Sequence, residues 1–311
     1  MRPGPRPGHP RAASRRLVLR TGLGGLLGVA AAAAAGLDLI DHGVLPGKQY
    51  LDRFDGTCSV PVPPLAFARL GPSTSGSFYS AARQCVVGYT IAYPPGHGPG
   101  SELPLIVALH PYGGDHRRVL AEMSLAQAVA LLADGRPLPP MAIVAADGGG
   151  GYWNPHPGDN PLGMVVDELI PRCQALGLGS DGRRIGTLGI SMGGYGAILI
   201  AEKYPELVTA VAAIGPAIWT SYGQARAVNS GAYTSPTAFA SADAVTHAGA
   251  LAKVAVRVAS GVDDPFHPGV EALVKVLPAG AVVHISAGCH TTSFFAQQEP
   301  PSLEFLGQHL A

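Results

Sequence analysis

The sequence predicts an α/β fold with a mainly parallel central sheet, helices on both faces, and antiparallel strands at the N-terminal edge. Three observations predict it. Short apolar runs recur without polar alternation, as in strands buried on both faces. Helix-length segments separate them, which is the pattern of crossover connections in a parallel sheet. The 42 glycines and 29 prolines of the 311 residues fall between apolar runs, where short loops need them.

In order, the strands are expected at 103–109 (LPLIVAL), 141–146 (MAIVAA), 184–190 (RIGTLGI), 208–214 (VTAVAAI), 254–260 (VAVRVAS) and 281–286 (AVVHIS). Helices are expected at 117–133, 161–177, 192–204 and 268–277. A hairpin pairing 66–70 with 85–93 supplies the antiparallel edge. The body of the fold is read as 66–311. Within it, 217–250 is rich in Ser, Thr, Ala and Tyr and has no strong period. An insertion of that length in a compact domain is usually functional, and it falls near the candidate active site.

Hydrophobic residues are 47% and charged residues 14% of the chain, a composition for a packed core rather than disorder. The zero net charge hides an asymmetry, because Arg2, Arg6, Arg11, Arg15, Arg16 and Arg20 all precede the first acid, Asp38. Setting those six aside leaves 15 basic against 21 acidic residues. A nucleic-acid partner calls for a basic face, so that class is set aside.

Residues 1–36 read as an export signal: basic residues, the apolar run from Thr21 to Gly36, and small residues around Ala33-Ala34-Ala35. The Arg15-Arg16 pair resembles the twin-arginine type, implying that export machinery as a partner and an extracytoplasmic, secreted or envelope-associated protein. An uncleaved anchor is the alternative. Residues 37–65 form an N-terminal extension. Four cysteines, Cys58, Cys85, Cys173 and Cys289, allow three complete pairings among which the sequence does not choose. Nothing in the sequence requires a metal or an organic cofactor, and no stable protein partner is implied.

The chemistry centres on Gly189-Ile190-Ser191-Met192-Gly193. G-x-S-x-G is weak alone; its meaning comes from a strand before it and a helix after it, which turn the chain sharply and expose the serine. Both flanks are present. A serine capping the following helix would not require glycine on both sides. A nucleophilic serine needs a base and the base an orienting carboxylate. The strand VAVRVAS runs into Asp263-Asp264-Pro265-Phe266, and AVVHIS runs into Gly288-Cys289-His290. Both ends lie on the sheet edge that carries Ser191, where open α/β sheets bind ligands. His290 is the candidate base. Asp264, directly before the Pro-Phe turn, is preferred as the acid, with Asp263 as the alternative.

Stabilising an oxyanion takes two N–H donors. Met192, after the serine, offers one. The other is expected from His110-Pro111-Tyr112-Gly113-Gly114; Pro111 has no N–H, leaving Tyr112, which is preferred, or Gly113. His110 is read as holding this loop. The pocket candidates are Tyr112, Gly113, Trp153 in the loop 148–160, and Trp219 in the insertion.

From about Gly76 to Leu310 the chain resembles the esterase-D-type branch of the α/β-hydrolase superfamily. Relatives there include feruloyl and acetyl-xylan esterases, S-formylglutathione hydrolases and mycolyltransferases. The resemblance is carried by LHPYGGDH, DELIP at 167–171, GISMGGYGA, GVDDPF and GCHTTSFF. It implies the α/β-hydrolase fold and the triad Ser191, Asp264 and His290. Pro111 departs from it, replacing the glycine usual after that histidine.

The expected function is a serine carboxylesterase acting on a small-molecule, lipid or sugar ester through an acyl-enzyme. An acyltransferase of the cell envelope would use the same triad. A catalytically silent envelope-binding protein is the reading from another class.

Overall fold

The computed structural model describes residues 58, 60–61, 69–130, 135–179 and 185–311. The export signal and most of the extension therefore lie outside the described residues. Eight strands form one sheet in the order β1-β2-β4-β3-β5-β6-β7-β8. These are β1 (Ser73–Ser80), β2 (Cys85–Ala92), β3 (Leu105–Leu109), β4 (Ala142–Ala146), β5 (Ile185–Ile190), β6 (Val208–Ile214), β7 (Ala255–Gly261) and β8 (Val282–Ser286). The β1–β2 and β2–β4 pairs are antiparallel and every other pair is parallel. The fold class expected from the apolar runs is the one observed.

The hairpin needs correction. Of the expected 66–70, residues 66–68 lie outside the described residues and 69–70 are in no strand. The strand that pairs with β2 is Ser73–Ser80, from Ser73↔Ala92 to Ser80↔Cys85. Its sequence, STSGSFYS, reads as a loop because it is an edge strand with mostly exposed residues, so no apolar run marks it.

Helices α1 (His116–Val129) and α9 (Thr292–Leu310) pack against one face of the sheet. Asp115 caps α1, its carboxylate accepting from the amides of Arg117 and Arg118 at 2.8 and 2.9 Å. The spacing Val119, Leu120, Met123, Ala126 then turns one stripe into the core. The opposite face is covered by three groups of elements. The first is a continuous helical stretch formed by α2 (Pro161–Gly163), a π-helical turn (Met164–Leu169) and α3 (Ile170–Gln174). The second is α4 (Met192–Lys203). The third is the insertion, which is helical: α5 (Tyr222–Val228), α6 (Pro236–Ala240), α7 (Ala244–His247) and a 3-10 turn (Ala248–Lys253). Helix α8 (His267–Val274) follows β7.

Two features bear on stability. Cys58 and Cys289 form a disulfide, closing 231 residues of sequence, while Cys85 and Cys173 are free thiols. Near the end of α4, Glu202 is buried and neither carboxylate oxygen has a hydrogen-bond partner. Burial, reinforced by Asp243 and opposed by Lys203, pushes its pKa up to about 9.

A Cys58→Ser variant is expected to lose on the order of 2–4 kcal/mol in denaturant unfolding, because the unfolded chain regains the freedom of a long loop. An unchanged midpoint would count against that tie. For Glu202 the folded carboxyl keeps its proton to about pH 9 whereas the unfolded one loses it near 4.5. Stability therefore falls as pH rises through that window, by up to about 1.4 kcal/mol per unit. Glu299, pushed up to about 7 by burial, contributes only to the lower part. Chemical melts from pH 7 to 8.5 should show wild type losing about 1–2 kcal/mol relative to Glu202→Gln. Parallel profiles would remove the assignment.

Candidate active site

Ser191 stands between β5 and α4 with φ 57° and ψ −118°, in the left-handed half of backbone space that side chains avoid. The glycines at either side are explained by contact. A Cβ on Gly189 would stand 2.0 Å from the Gly193 carbonyl oxygen, and one on Gly193 would stand 2.0 Å from that of Leu109. Three backbone bonds hold the turn: the Ser191 amide donates to the Ile214 carbonyl at 2.9 Å, and its carbonyl accepts from Tyr195 and Ala217, each at 3.0 Å.

Two further strand ends meet this serine. The Ser191 hydroxyl donates to His290 Nε2 at 2.7 Å, and His290 Nδ1–H donates to Asp264 Oδ2, also at 2.7 Å. The Asp264 carboxylate is fully enclosed, and its other oxygen accepts the Phe266 amide at 2.8 Å. The carboxylate that His290 meets is that of Asp264 rather than Asp263. The Asp263 amide donates to the Gly288 carbonyl at 3.0 Å, part of a backbone seam joining the loops after β7 and β8. The seam is tight: a Cβ on Gly261 would lie 2.0 Å from the Gly288 oxygen.

The sequence reading missed several residues here. Gly215, at the end of β6 with φ 50°, leaves space for the pair, since a Cβ there would crowd Phe295, Asp264 and His290. A lone glycine at a strand end was its only signal. Phe266 and Phe295 flank the imidazole edge-to-face, with centroids at 5.0 and 4.9 Å. Cys289 ties the loop beside His290 to Cys58.

Met192 is the first residue of α4, so its N–H has no acceptor within the helix. On the other side, the Gly114 amide donates to the Pro111 carbonyl at 2.9 Å, closing a turn over 111–114 with Gly113 left-handed at φ 72°. That bond uses neither the Tyr112 nor the Gly113 amide. His110 pins the turn: Nδ1–H donates to the Pro111 carbonyl at 2.8 Å and Nε2 accepts from the Gly148 amide at 2.9 Å. Accepting at Nε2 requires the neutral ring, which burial favours by pushing its pKa down.

Of the pocket candidates, Tyr112 is exposed and stands over Gly150, and Gly113 forms the turn beside it. Trp219 is half-buried and packs edge-to-face on Phe266 at 4.8 Å. Trp153 is a correction. It is fully buried beneath the site, its ring 5.0 Å from that of His110 and its indole N–H donating to the His110 carbonyl. Tyr152 and Trp153 are both left-handed, at φ 55° and 54°, which turns the tryptophan inward.

Comparisons with known proteins agree on the fold. A ferulic acid esterase superimposes with a TM-score of 0.66 at 17% identity, covering 78% of this chain and 100% of that one. An S-formylglutathione hydrolase from Agrobacterium tumefaciens gives 0.61 at 17% identity, covering 81% and 100%. A thermostable esterase from Pseudomonas putida gives 0.59 at 16% identity, covering 85% and 89%. No curated protein matches the chain. The family model described as "Putative esterase" matches residues 80–269, more than half of the chain. With an eight-stranded α/β sheet, a serine on a strained strand-to-helix turn and that match, the chain belongs to this esterase family, whose members are ester-hydrolysing enzymes.

Proposed function

We propose that the protein is a serine carboxylesterase in which Ser191, His290 and Asp264 act as a triad through an acyl-enzyme. The observation that carries the reading is the unbroken hydrogen-bond chain Ser191–His290–Asp264, with both links at 2.7 Å. As Ser191 Oγ attacks the ester carbonyl, His290 Nε2 takes its proton, and the Asp264 carboxylate steadies the imidazolium. The negative charge on the carbonyl oxygen is met by the Met192 and Tyr112 amides, with the α4 N-terminus adding its partial positive charge. His290 returns the proton to the leaving alcohol. A water, deprotonated by the same nitrogen, then hydrolyses the acyl-enzyme and frees Ser191.

The substrate is a small-molecule ester, and aromatic rings gather at the imidazole: Phe266 and Phe295 flank His290, and Trp219 packs on Phe266. Export to an oxidising compartment is part of the proposal. It is supported by Arg15-Arg16 ahead of the apolar run and by the Cys58–Cys289 disulfide, a bond that persists in such compartments.

Initial rates on p-nitrophenyl esters of graded chain length test the triad. Ser191→Ala is expected to lower kcat by about a million-fold and Asp264→Asn by about ten-thousand-fold, while the fold, followed by circular dichroism, is kept. A Ser191→Ala enzyme as fast as its parent would end the reading. The turn itself is tested by a pair of glycine substitutions. Gly193→Ala should lower kcat by about 100-fold or more in the protein that folds, by pushing the Leu109 strand end away from the serine. Gly249→Ala, where an added Cβ meets no atom within 4 Å, should leave the rate unchanged.

A further inference from the structure

On the sheet face opposite α4, Arg257 of β7 is only 4% exposed. Its guanidinium donates from Nη1 to Ser302 Oγ at 2.8 Å and from Nη2 to Gln298 Oε1 at 2.9 Å. Both acceptors belong to α9 and both are neutral. A guanidinium has more N–H donors than these two bonds use, and among the described residues no carboxylate lies within ion-pair distance of it. Glu304, two residues beyond Ser302 in α9, acts on it only at longer range. A buried cation without a counter-charge is costly unless something supplies one. Its environment shows the strain, since burial pushes the Arg257 pKa down to about 10.

Arg257 also lines an open cavity of about 550 Å³ with His284, Ser286 and Gln297. The register explains the grouping. Arg257 pairs with Val282, Ala259 with His284 and Gly261 with Ser286, so alternate residues of the edge strand share the face of Arg257 beneath α9. Burial and the neighbouring Arg257 charge both push the His284 pKa down, which favours its neutral ring. Among the described residues the lining presents one fixed positive charge, on Arg257, with the Ser286 hydroxyl and the Gln297 and Gln298 amides.

We propose that this cavity is an anion-binding site, with Arg257 at its floor, for one small monoanionic carboxylate. One positive charge is balanced by one negative charge, and a planar carboxylate matches the flat guanidinium fork. A dianion such as sulfate would leave a charge uncompensated in a half-enclosed space. The site is distinct from the serine, but it rests on the same elements. Strand β7 runs on to Asp264, and α9 begins just after His290.

The test is a titration of sodium acetate into the full-length protein at constant ionic strength, following the broadening of the acetate methyl resonance. The expected result is saturable binding in wild type and in Ser191→Ala, displaced by formate but not by sulfate. Arg257→Gln should weaken binding by about tenfold or more. Should that variant fail to fold, His284→Glu at the exposed strand edge places a competing carboxylate beside the guanidinium and should remove acetate binding to the same degree. Absence of saturable binding in wild type would overturn the proposal. So would binding that survives in His284→Glu, binding lost in Ser191→Ala, or displacement by sulfate as effective as by formate.

Discussion

The rest of the site depends on one backbone constraint, the left-handed residue at position 191. A non-glycine residue there costs on the order of 1–3 kcal/mol, so it persists only where its surroundings allow no alternative. Those surroundings are specific. The Ile214 carbonyl of β6 takes the serine's amide, while the Tyr195 and Ala217 amides take its carbonyl. The start of α4 is thus bound to the ends of β5 and β6 together. Residues 189 and 193 are pressed against backbone atoms, which only glycine permits. The same compression lifts Ser191 Oγ out of the sheet edge toward the loops after β7 and β8.

Those loops are located by backbone as much as by side chains. The seam of Val262 and Asp263 amides onto the Ser286 and Gly288 carbonyls holds the two turns in register. It commits the Asp263 amide to this seam, and it leaves Asp264 facing His290. Phe266 closes the arrangement twice, since its amide satisfies Asp264 and its ring packs on the imidazole. Enclosure by Phe266, Phe295 and the Gly215 turn adds to the bonds with Asp264 and Ser191 in fixing the orientation of His290.

Much of this was legible in the sequence because it repeats along the chain. The six strands from β3 to β8 were found by their unbroken apolar runs, and Ser191, Asp264 and His290 each sit one to four residues beyond such a run. What escaped has physical reasons. Strand β1 carries serine and threonine because most of it faces solvent. Helix α9 was unassigned, and Pro300-Pro301 in its interior argues against a helix by local preference. Burial of Phe294, Leu303, Leu306 and Leu310 against the sheet and α1 overrides that preference. Trp153 was placed at the rim because nothing in a glycine-rich loop announces two consecutive left-handed residues. The disulfide joins positions 231 residues apart, and spacing alone cannot select it.

Proline at position 111 shows how a departure from the expected pattern is absorbed. A glycine there could lend both an amide and a flexible φ; proline supplies neither. The left-handed residue of the turn is instead Gly113, two positions on. The Pro111 carbonyl takes on the anchoring, accepting from the Gly114 amide and from His110 Nδ1–H. The His110 ring is in turn held from its other nitrogen by Gly148 and from its face by Trp153. The buried Trp153 thus supports the turn from beneath: it packs against His110, which braces Pro111, which leaves the Tyr112 amide unused by the turn. A tryptophan excluded from the rim still bears on where that amide stands, through three contacts in series.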